Sequence, residues 1–128
     1  MRHDPLADTF AIIKNTEGIG RKECIVPASK VIKGVLNVMK KEKYIEDFGF
    51  IEDGKGGHIR LKLMGRVNDC NVIKPRFSIS SRDTIKWEKK FLPADEIGIL
   101  ILTTSRGIMN QREAVKQKTG GKLLGFVY

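Results

Sequence analysis

The stretch that decides the fold is residues 97–107, which read IGILILTTSRG. Its first six residues are almost all apolar, the pattern of a strand that is buried on both faces. The strand runs directly into a polar segment with three hydroxyl groups, a guanidinium and a glycine, which are Thr103, Thr104, Ser105, Arg106 and Gly107. We therefore expect a central core strand with a functional segment at its end.

The residues after this segment predict a short helix and a last strand. Asn110 and Glu113 have the spacing of a capping box, which predicts a helix that ends near Lys118. Gly120-Gly121 then predicts a turn into a strand over 122–128.

The residues before the buried strand predict the rest of a C-terminal lobe. Residues 73–79 favour a strand, with a bend or an edge position indicated by Pro75. Residues 83–90 favour a short helix or turn around Trp87. Residues 66–128 are thus predicted to form the smaller lobe, mainly β with a short helix.

Residues 1–65 predict an N-terminal α/β lobe, so the fold class of the chain is α+β. Apolar residues recur at helical spacing in two segments, and residues 58–63 alternate between apolar and polar. The predicted elements, in order, are a helix from Asp4-Pro5 to Gly18, a strand at 23–26, a helix capped by Ser29, a strand at 44–51, a hairpin turn at 53–57 and a strand at 58–63.

The charge of the chain favours a polyanionic partner. Lys and Arg outnumber Asp and Glu by 24 to 15, which gives a net charge of +9 in 128 residues. Residues 1–64 carry 12 basic and 9 acidic side chains, whereas residues 65–128 carry 12 and 6. The second half is therefore the expected electrostatic footprint. A charge excess is also typical of an ordinary soluble surface, so it does not identify the partner by itself.

Membrane and disulfide-stabilised classes do not fit the sequence. No stretch approaches the ~20 apolar residues that span a bilayer. The two cysteines, Cys24 and Cys70, lie far apart beside apolar residues and are expected to be buried free thiols. We expect a cytoplasmic protein without a membrane partner.

Metal, nucleotide and other small-molecule sites do not fit either. His3 and His58 are the only histidines, and neither has metal-ligand spacing to another ligand. A phosphate-binding loop needs Gly-Lys followed by Ser or Thr, but Gly121-Lys122 is followed by Leu123. The sequence thus predicts no metal, no cofactor and no small-molecule substrate.

The polar segment after the core strand has the groups that RNA recognition uses. Hydroxyls can bond to phosphates and ribose 2′-OH groups, and Arg106 can pair with phosphate through two N–H groups. Gly107 permits close approach of the backbone. The alternative is a Ser/Thr-rich turn that only caps a helix. The RNA interpretation gains from five basic side chains against one acidic, Glu113; they are Arg106, Arg112, Lys116, Lys118 and Lys122.

Two rival functions remain at this point. A small metal-dependent nuclease could use Glu46, Asp47, Glu52 and Asp53, although solvated turn charges are the better explanation of these residues. A duplex-DNA-binding module would need a recognition helix, and no such pattern is present. We therefore do not expect an enzyme.

Blocks along nearly the whole chain resemble the family of small-subunit ribosomal protein eight, in its archaeal and eukaryotic branch. The most specific block is 103–109, Thr-Thr-Ser-Arg-Gly-Ile-Met. The others are Asp4-Pro5-Leu6-Ala7-Asp8 with Asn15, Pro27-Ala28-Ser29-Lys30, Tyr44-Ile45-Glu46-Asp47-Phe48, Gly65-Arg66, Lys74-Pro75-Arg76, Arg112-Glu113-Ala114 and Gly120-Gly121-Lys122-Leu123-Leu124.

This resemblance implies a structural constituent of the small ribosomal subunit. It implies primary binding to the central domain of small-subunit rRNA, with neighbouring small-subunit ribosomal proteins as further partners. Carried over position by position, the implied RNA contacts in the C-terminal lobe are Thr103, Thr104, Ser105, Arg106, Gly107, Asn110 and Gln111. Those in the N-terminal lobe are Thr9, Asn15, Ser29 and Lys30.

Overall fold

The computed structural model describes residues 4–51, 57–74, 76–94 and 97–128. It divides the chain into two compact units, Met1–Cys70 and Asn71–Tyr128. Each unit has helices and antiparallel strand pairs, so the predicted α+β class is confirmed.

The first unit has the predicted order of helix, strand, helix, strand, strand. Its three strands form an antiparallel sheet in the order β1-β3-β2. The elements are α1 Pro5–Gly18, β1 Glu23–Pro27, α2 Lys30–Lys41, β2 Ile45–Ile51 and β3 His58–Leu63. Most of the hairpin turn predicted at 53–57 lies outside the described residues.

Both helices of the first unit begin at side-chain caps. Asp4 Oδ1 accepts from the amide of Leu6 at 3.1 Å, and Ser29 Oγ accepts from the amide of Ile32 at 3.1 Å. Each bond satisfies an amide that has no partner within its own helix. The predicted starts of the two helices are therefore confirmed.

The core of the first unit follows the apolar periodicities. On β3, alternate residues are buried while Arg60 and Lys62 are exposed. The fully buried large side chains include Phe10, Ile13, Ile32, Leu36, Met39, Ile45, Ile59, Leu61 and Leu63. The apolar faces of the two helices thus pack against one face of the sheet, and this packing forms the core of the first unit.

The second unit is built around the predicted core strand. In β6, Ile99–Thr104, the four residues from 99 to 102 are all buried. The strand order is β4-β8-β6-β7, and β5 pairs with β8. The other elements are β4 Cys70–Val72, β5 Ser78–Ile79, a 3₁₀ turn Ser81–Asp83, α3 Thr84–Phe91, β7 Gly107–Asn110, α4 Gln111–Lys116 and β8 Gly121–Val127.

One prediction for this unit was wrong, and one strand was not predicted. Residues 73–79 do not form one strand, because the chain meets β8 at two separate places. The amide of Ile73 donates to Leu124 O at 3.0 Å, and the amide of Leu123 donates to Phe77 O at 2.9 Å. The strand that was not predicted is β7, because a four-residue strand that contains Gly and Asn has a weak sequence pattern.

Both cysteines are free thiols, as expected, but only Cys70 is fully buried. Its Sγ–H donates to Phe10 O at 3.3 Å. Burial raises the pKa of Cys70 to about 12, and burial also raises the pKa of Cys24. Both thiols therefore stay protonated at neutral pH. No helix within the described part of the chain is long and apolar enough to cross a membrane.

Candidate nucleic-acid interface

The polar segment that follows the core strand forms the tip of a β-hairpin. β6 and β7 are antiparallel, with Thr103 opposite Ile108 and Thr104 opposite Gly107. Only Ser105 and Arg106 lie in the turn, and both are exposed. The structure thus presents a hydroxyl and a guanidinium together, at the end of a strand whose other end is buried in the core.

The hydroxyl of Thr104 holds this turn closed. It donates to Gly107 O at 2.8 Å and accepts from the amide of Arg106 at 3.1 Å. The same oxygen is therefore donor and acceptor within the turn, and it fixes the backbone that carries Ser105. Thr104 positions the exposed residues through these bonds.

Two glycines shape the hairpin for different reasons. Gly107 has a φ of +114°, whereas neither Ser105 nor Arg106 has a positive φ. The left-handed backbone thus falls on the residue that tolerates it. Gly121 is required by space, because a Cβ there would lie 2.5 Å from Thr103 O and 2.9 Å from Thr104 Cγ2.

Asn110 and Gln111 lie in the interior, each with 2% of its surface exposed. Asn110 Oδ1 accepts from the amide of Glu113 at 2.9 Å, which confirms the predicted helix cap. Gln111 Oε1 accepts from the amide of Leu100 at 2.9 Å. Gln111 thus bonds the start of α4 to β6, and Asn110 caps α4 from the end of β7.

A basic side chain of the adjoining strand lies beside the hairpin in the second unit. Lys122 on β8 lies directly opposite Thr103 on β6 and opposite Ser78 on β5. Residues that face each other across antiparallel strands point to the same side of the sheet. One row of this sheet therefore carries two hydroxyls with an ammonium between them. The basic residues predicted to contribute are exposed: Arg106, Arg112, Lys116, Lys118 and Lys122.

Sequence reasoning did not identify Ser78 as part of this row. The signal was hidden because Ser78 belongs to a strand of only two residues, and its partner on β8 lies 44 positions further along the chain. Such a register can be read only when the strand order is known.

Of the four candidates in the first unit, two lie on α1 and face different directions. Thr9 is fully buried, and its hydroxyl donates to Pro5 O at 2.8 Å. Asn15 is exposed. Six residues of α-helix separate two side chains by about 120° around the axis. The structure therefore does not bring Thr9 and Asn15 to one surface.

The other two candidates of the first unit lie together at the start of α2. Ser29 and Lys30 are both exposed. Ser29 Oγ uses a lone pair to accept the hydrogen bond from the Ile32 amide, so its O–H can still donate to another group. A hydroxyl and an ammonium thus adjoin each other at a helix start.

The carboxylates considered for a nuclease do not form a metal site in the part of the chain that the structure describes. Asp47 Oδ1 lies 2.9 Å from Lys40 Nζ, and this hydrogen bond lowers the pKa of Asp47. Glu52 and Asp53 lie outside the described residues. Within residues 4–51, 57–74, 76–94 and 97–128, no three His, Cys, Asp or Glu side chains are grouped to hold a metal ion.

Two α+β units, an exposed Ser-Arg turn and a net charge of +9 place the chain in the class of small, basic α+β proteins. The family model described as Ribosomal protein S8 matches residues 4–128. The chain is 52% identical over 126 residues to the small ribosomal subunit protein uS8 of Methanococcoides burtonii, covering 98% of this chain and 97% of that protein.

The chain belongs to the ribosomal protein S8 family. It is therefore a ribosomal protein, as the resemblance of its motifs predicted, and the predicted location in cytoplasmic ribosomes is confirmed. Members of this family are structural components of the small ribosomal subunit and are not known as enzymes.

Proposed function

We propose that this chain is a structural constituent of the small ribosomal subunit and a primary binder of the central domain of its rRNA. By holding an irregular stem of that domain, it supports folding of the RNA and the later addition of neighbouring ribosomal proteins. Membership of the ribosomal protein S8 family supports the class of partner. The geometry of the hairpin supports the mode of contact.

The observation that carries the proposal is the exposed Ser105-Arg106 turn, held closed by Thr104 and flanked by Lys122 in the adjoining strand row. The turn offers the hydroxyl of Ser105 and the planar guanidinium of Arg106. Next to them, the backbone of Gly107 has no side chain that would keep a ligand away. These are the groups that reach phosphates, 2′-hydroxyls and base edges in an irregular RNA stem.

Each candidate has a role that follows from where it lies. Ser105, Arg106 and Gly107 meet the RNA directly, and Thr103 contributes from the strand row beside Lys122. Thr104, Asn110 and Gln111 act from within, because their side chains already bond to the protein.

The first unit supplies a secondary contact. Ser29 and Lys30 lie together at the start of α2, where a phosphate meets a hydroxyl, an ammonium and the positive end of the helix dipole. Asn15 contributes separately from α1. Thr9 supports that helix through its bond to Pro5 O.

The central test is the affinity of Ser105→Ala for the isolated rRNA stem. The lost hydroxyl leaves an RNA group without its partner, so binding should weaken by about 1–3 kcal/mol while the free energy of unfolding stays unchanged. Asn71→Ala removes an exposed polar group of the second unit on β4 and serves as the control. Equal affinities for Ser105→Ala and the native chain would place the contact elsewhere.

The electrostatic part is tested by the salt dependence of the same affinity. Each phosphate neutralised by Lys or Arg should contribute a slope of roughly −0.7 to −0.9 to log K against log salt. Arg106→Gln should make that slope less steep by about one such contribution. A flat plot for the native chain would contradict phosphate binding.

A further inference from the structure

A second basic surface lies in the first unit, where α2 runs beside the edge strand β2. The helix, KVIKGVLNVMKK, has four lysines and no acidic residue. Phe50 on β2 is 55% exposed, and Lys33 Nζ lies 5.1 Å from the centroid of its ring. We call Lys33 and Phe50 the lysine–phenylalanine surface.

The position of β2 explains why this ring is accessible. Phe50 is opposite Ile59 in the sheet, and Ile59 is fully buried. The order β1-β3-β2 leaves β2 at one edge of the sheet, without a neighbouring strand on its outer side. Part of the Phe50 ring therefore stays uncovered. An aromatic ring with an ammonium beside it, exposed over half its surface, is a platform for a planar ligand that also carries negative charge.

A second lysine–phenylalanine pair on the same two elements differs in charge. Lys40 Nζ lies 5.8 Å from the ring centroid of Phe48, but it also forms an ion pair with Asp47 at 2.9 Å. Lys33 forms no ion pair with any residue in the described ranges. The charge beside Phe50 is therefore less neutralised than the charge beside Phe48.

We propose that the lysine–phenylalanine surface binds a single-stranded segment of RNA. A base stacks on the exposed part of the Phe50 ring, while Lys33 holds an adjoining phosphate. This surface is separate from the hairpin of the second unit, and the choice of RNA as the partner rests on the proposed function. The charge of α2 favours RNA over a neighbouring protein, because Lys33 forms no ion pair with a described residue and the helix itself carries no acidic residue.

The test measures binding of a short oligouridylate to the full chain and to single variants. Phe50→Leu keeps an apolar side chain but removes the aromatic face, so affinity should fall at least about fivefold. Lys33→Gln should lower the affinity and make the salt slope less steep by roughly 0.7, the contribution of one phosphate of a single strand. Urea unfolding of each variant confirms that it is folded.

Two controls separate this surface from other charged sites. Lys40→Gln removes a lysine that Asp47 already neutralises, so its effect should be clearly smaller than that of Lys33→Gln. Lys86→Gln removes an exposed lysine of the second unit that neither proposal uses, so it should leave oligouridylate binding unchanged. Ser105→Ala is measured on the rRNA stem, whereas Phe50→Leu is measured on oligouridylate. The two proposals can therefore fail independently.

Three results would overturn the inference. The native chain could fail to bind oligouridylate, or Phe50→Leu and Lys33→Gln could both bind it as the native chain does. Alternatively, Phe50→Ala could lose a neighbouring ribosomal protein in reconstitution yet keep oligouridylate affinity, which would make the surface a protein contact. Photocrosslinking of uridine to Phe50 in the native chain would support a base on the ring.

Discussion

The hairpin of the second unit brings Ser105 and Arg106 to one exposed turn, whereas α1 of the first unit carries Thr9 and Asn15 about 120° apart. Hairpin residues that are close in sequence stay close in space, because strand pairing holds both arms. On a helix, residues six positions apart lie on different faces, because successive side chains are distributed around the axis. Polar residues in a short segment are therefore stronger evidence for a shared site on a hairpin than on a helix.

The two regions also differ in how their polar groups are used. In the hairpin, Thr104 bonds internally so that its neighbours can face outward. On α1, Thr9 bonds back to Pro5 O and faces the core. A hydroxyl in a predicted binding segment can thus contact the ligand or support the group that does.

The largest expected effect is in Gly121→Ala, which tests whether the hairpin depends on its neighbour β8. The new Cβ would overlap Thr103 O and Thr104 Cγ2, so the free energy of unfolding should fall by about 3 kcal/mol. Urea titration measures this change. Gly49→Ala is the matched strand control, since nothing lies within 4 Å of a Cβ there, and its change should stay within about 0.5 kcal/mol. Equal costs in the two variants would show that the close approach is not required.

A smaller effect is expected from Gln111→Ala, which tests whether this side chain stabilises the hairpin or contacts RNA directly. The amide of Leu100 would lose its buried partner, so the free energy of unfolding should fall by about 2 kcal/mol. RNA affinity of the folded protein should stay close to native. Gln117→Ala, on a partly exposed residue, is the control. A large loss of affinity without loss of stability would instead make Gln111 a direct RNA contact.

The smallest effects compare the two residues of α1. Thr9→Val removes the bond to Pro5 O and should lower the free energy of unfolding by about 1 kcal/mol without changing RNA affinity. Asn15→Ala should leave the stability unchanged and weaken rRNA binding by up to about 1 kcal/mol. The two measurements are urea unfolding and titration with the rRNA stem. The opposite pattern would show that burial does not predict which of the two meets RNA.

Much of the architecture could be predicted because local chemistry determines it. Asp4, Ser29 and Asn110 were recognised as helix caps, and each accepts the expected backbone bond. The apolar run at 97–102 and the alternation at 58–63 gave the two central strands. Short strands were harder, because the pairs that stabilise β5 and β7 come from distant or weakly patterned residues.

The candidate site was less predictable than the fold. Sequence alone could place hydroxyls in the segment, but their orientation depends on the sheet. The burial of Thr9 did leave a trace, since Leu6, Thr9, Ile13 and Thr16 recur every three or four residues on the buried side of α1. The row of Ser78, Lys122 and Thr103 left none, because it depends on strand register.

The closed turn at Thr104 has a consequence for the thermodynamics of binding. A flexible Ser-Arg loop would lose backbone entropy each time it met its partner, and that loss would subtract from its affinity. Because two hydrogen bonds from one oxygen already restrict this backbone, most of that entropy is lost during folding. In Thr104→Val both hydrogen bonds are absent, so the turn would lose its backbone entropy when it binds RNA. Calorimetry would then record a less favourable entropy of association.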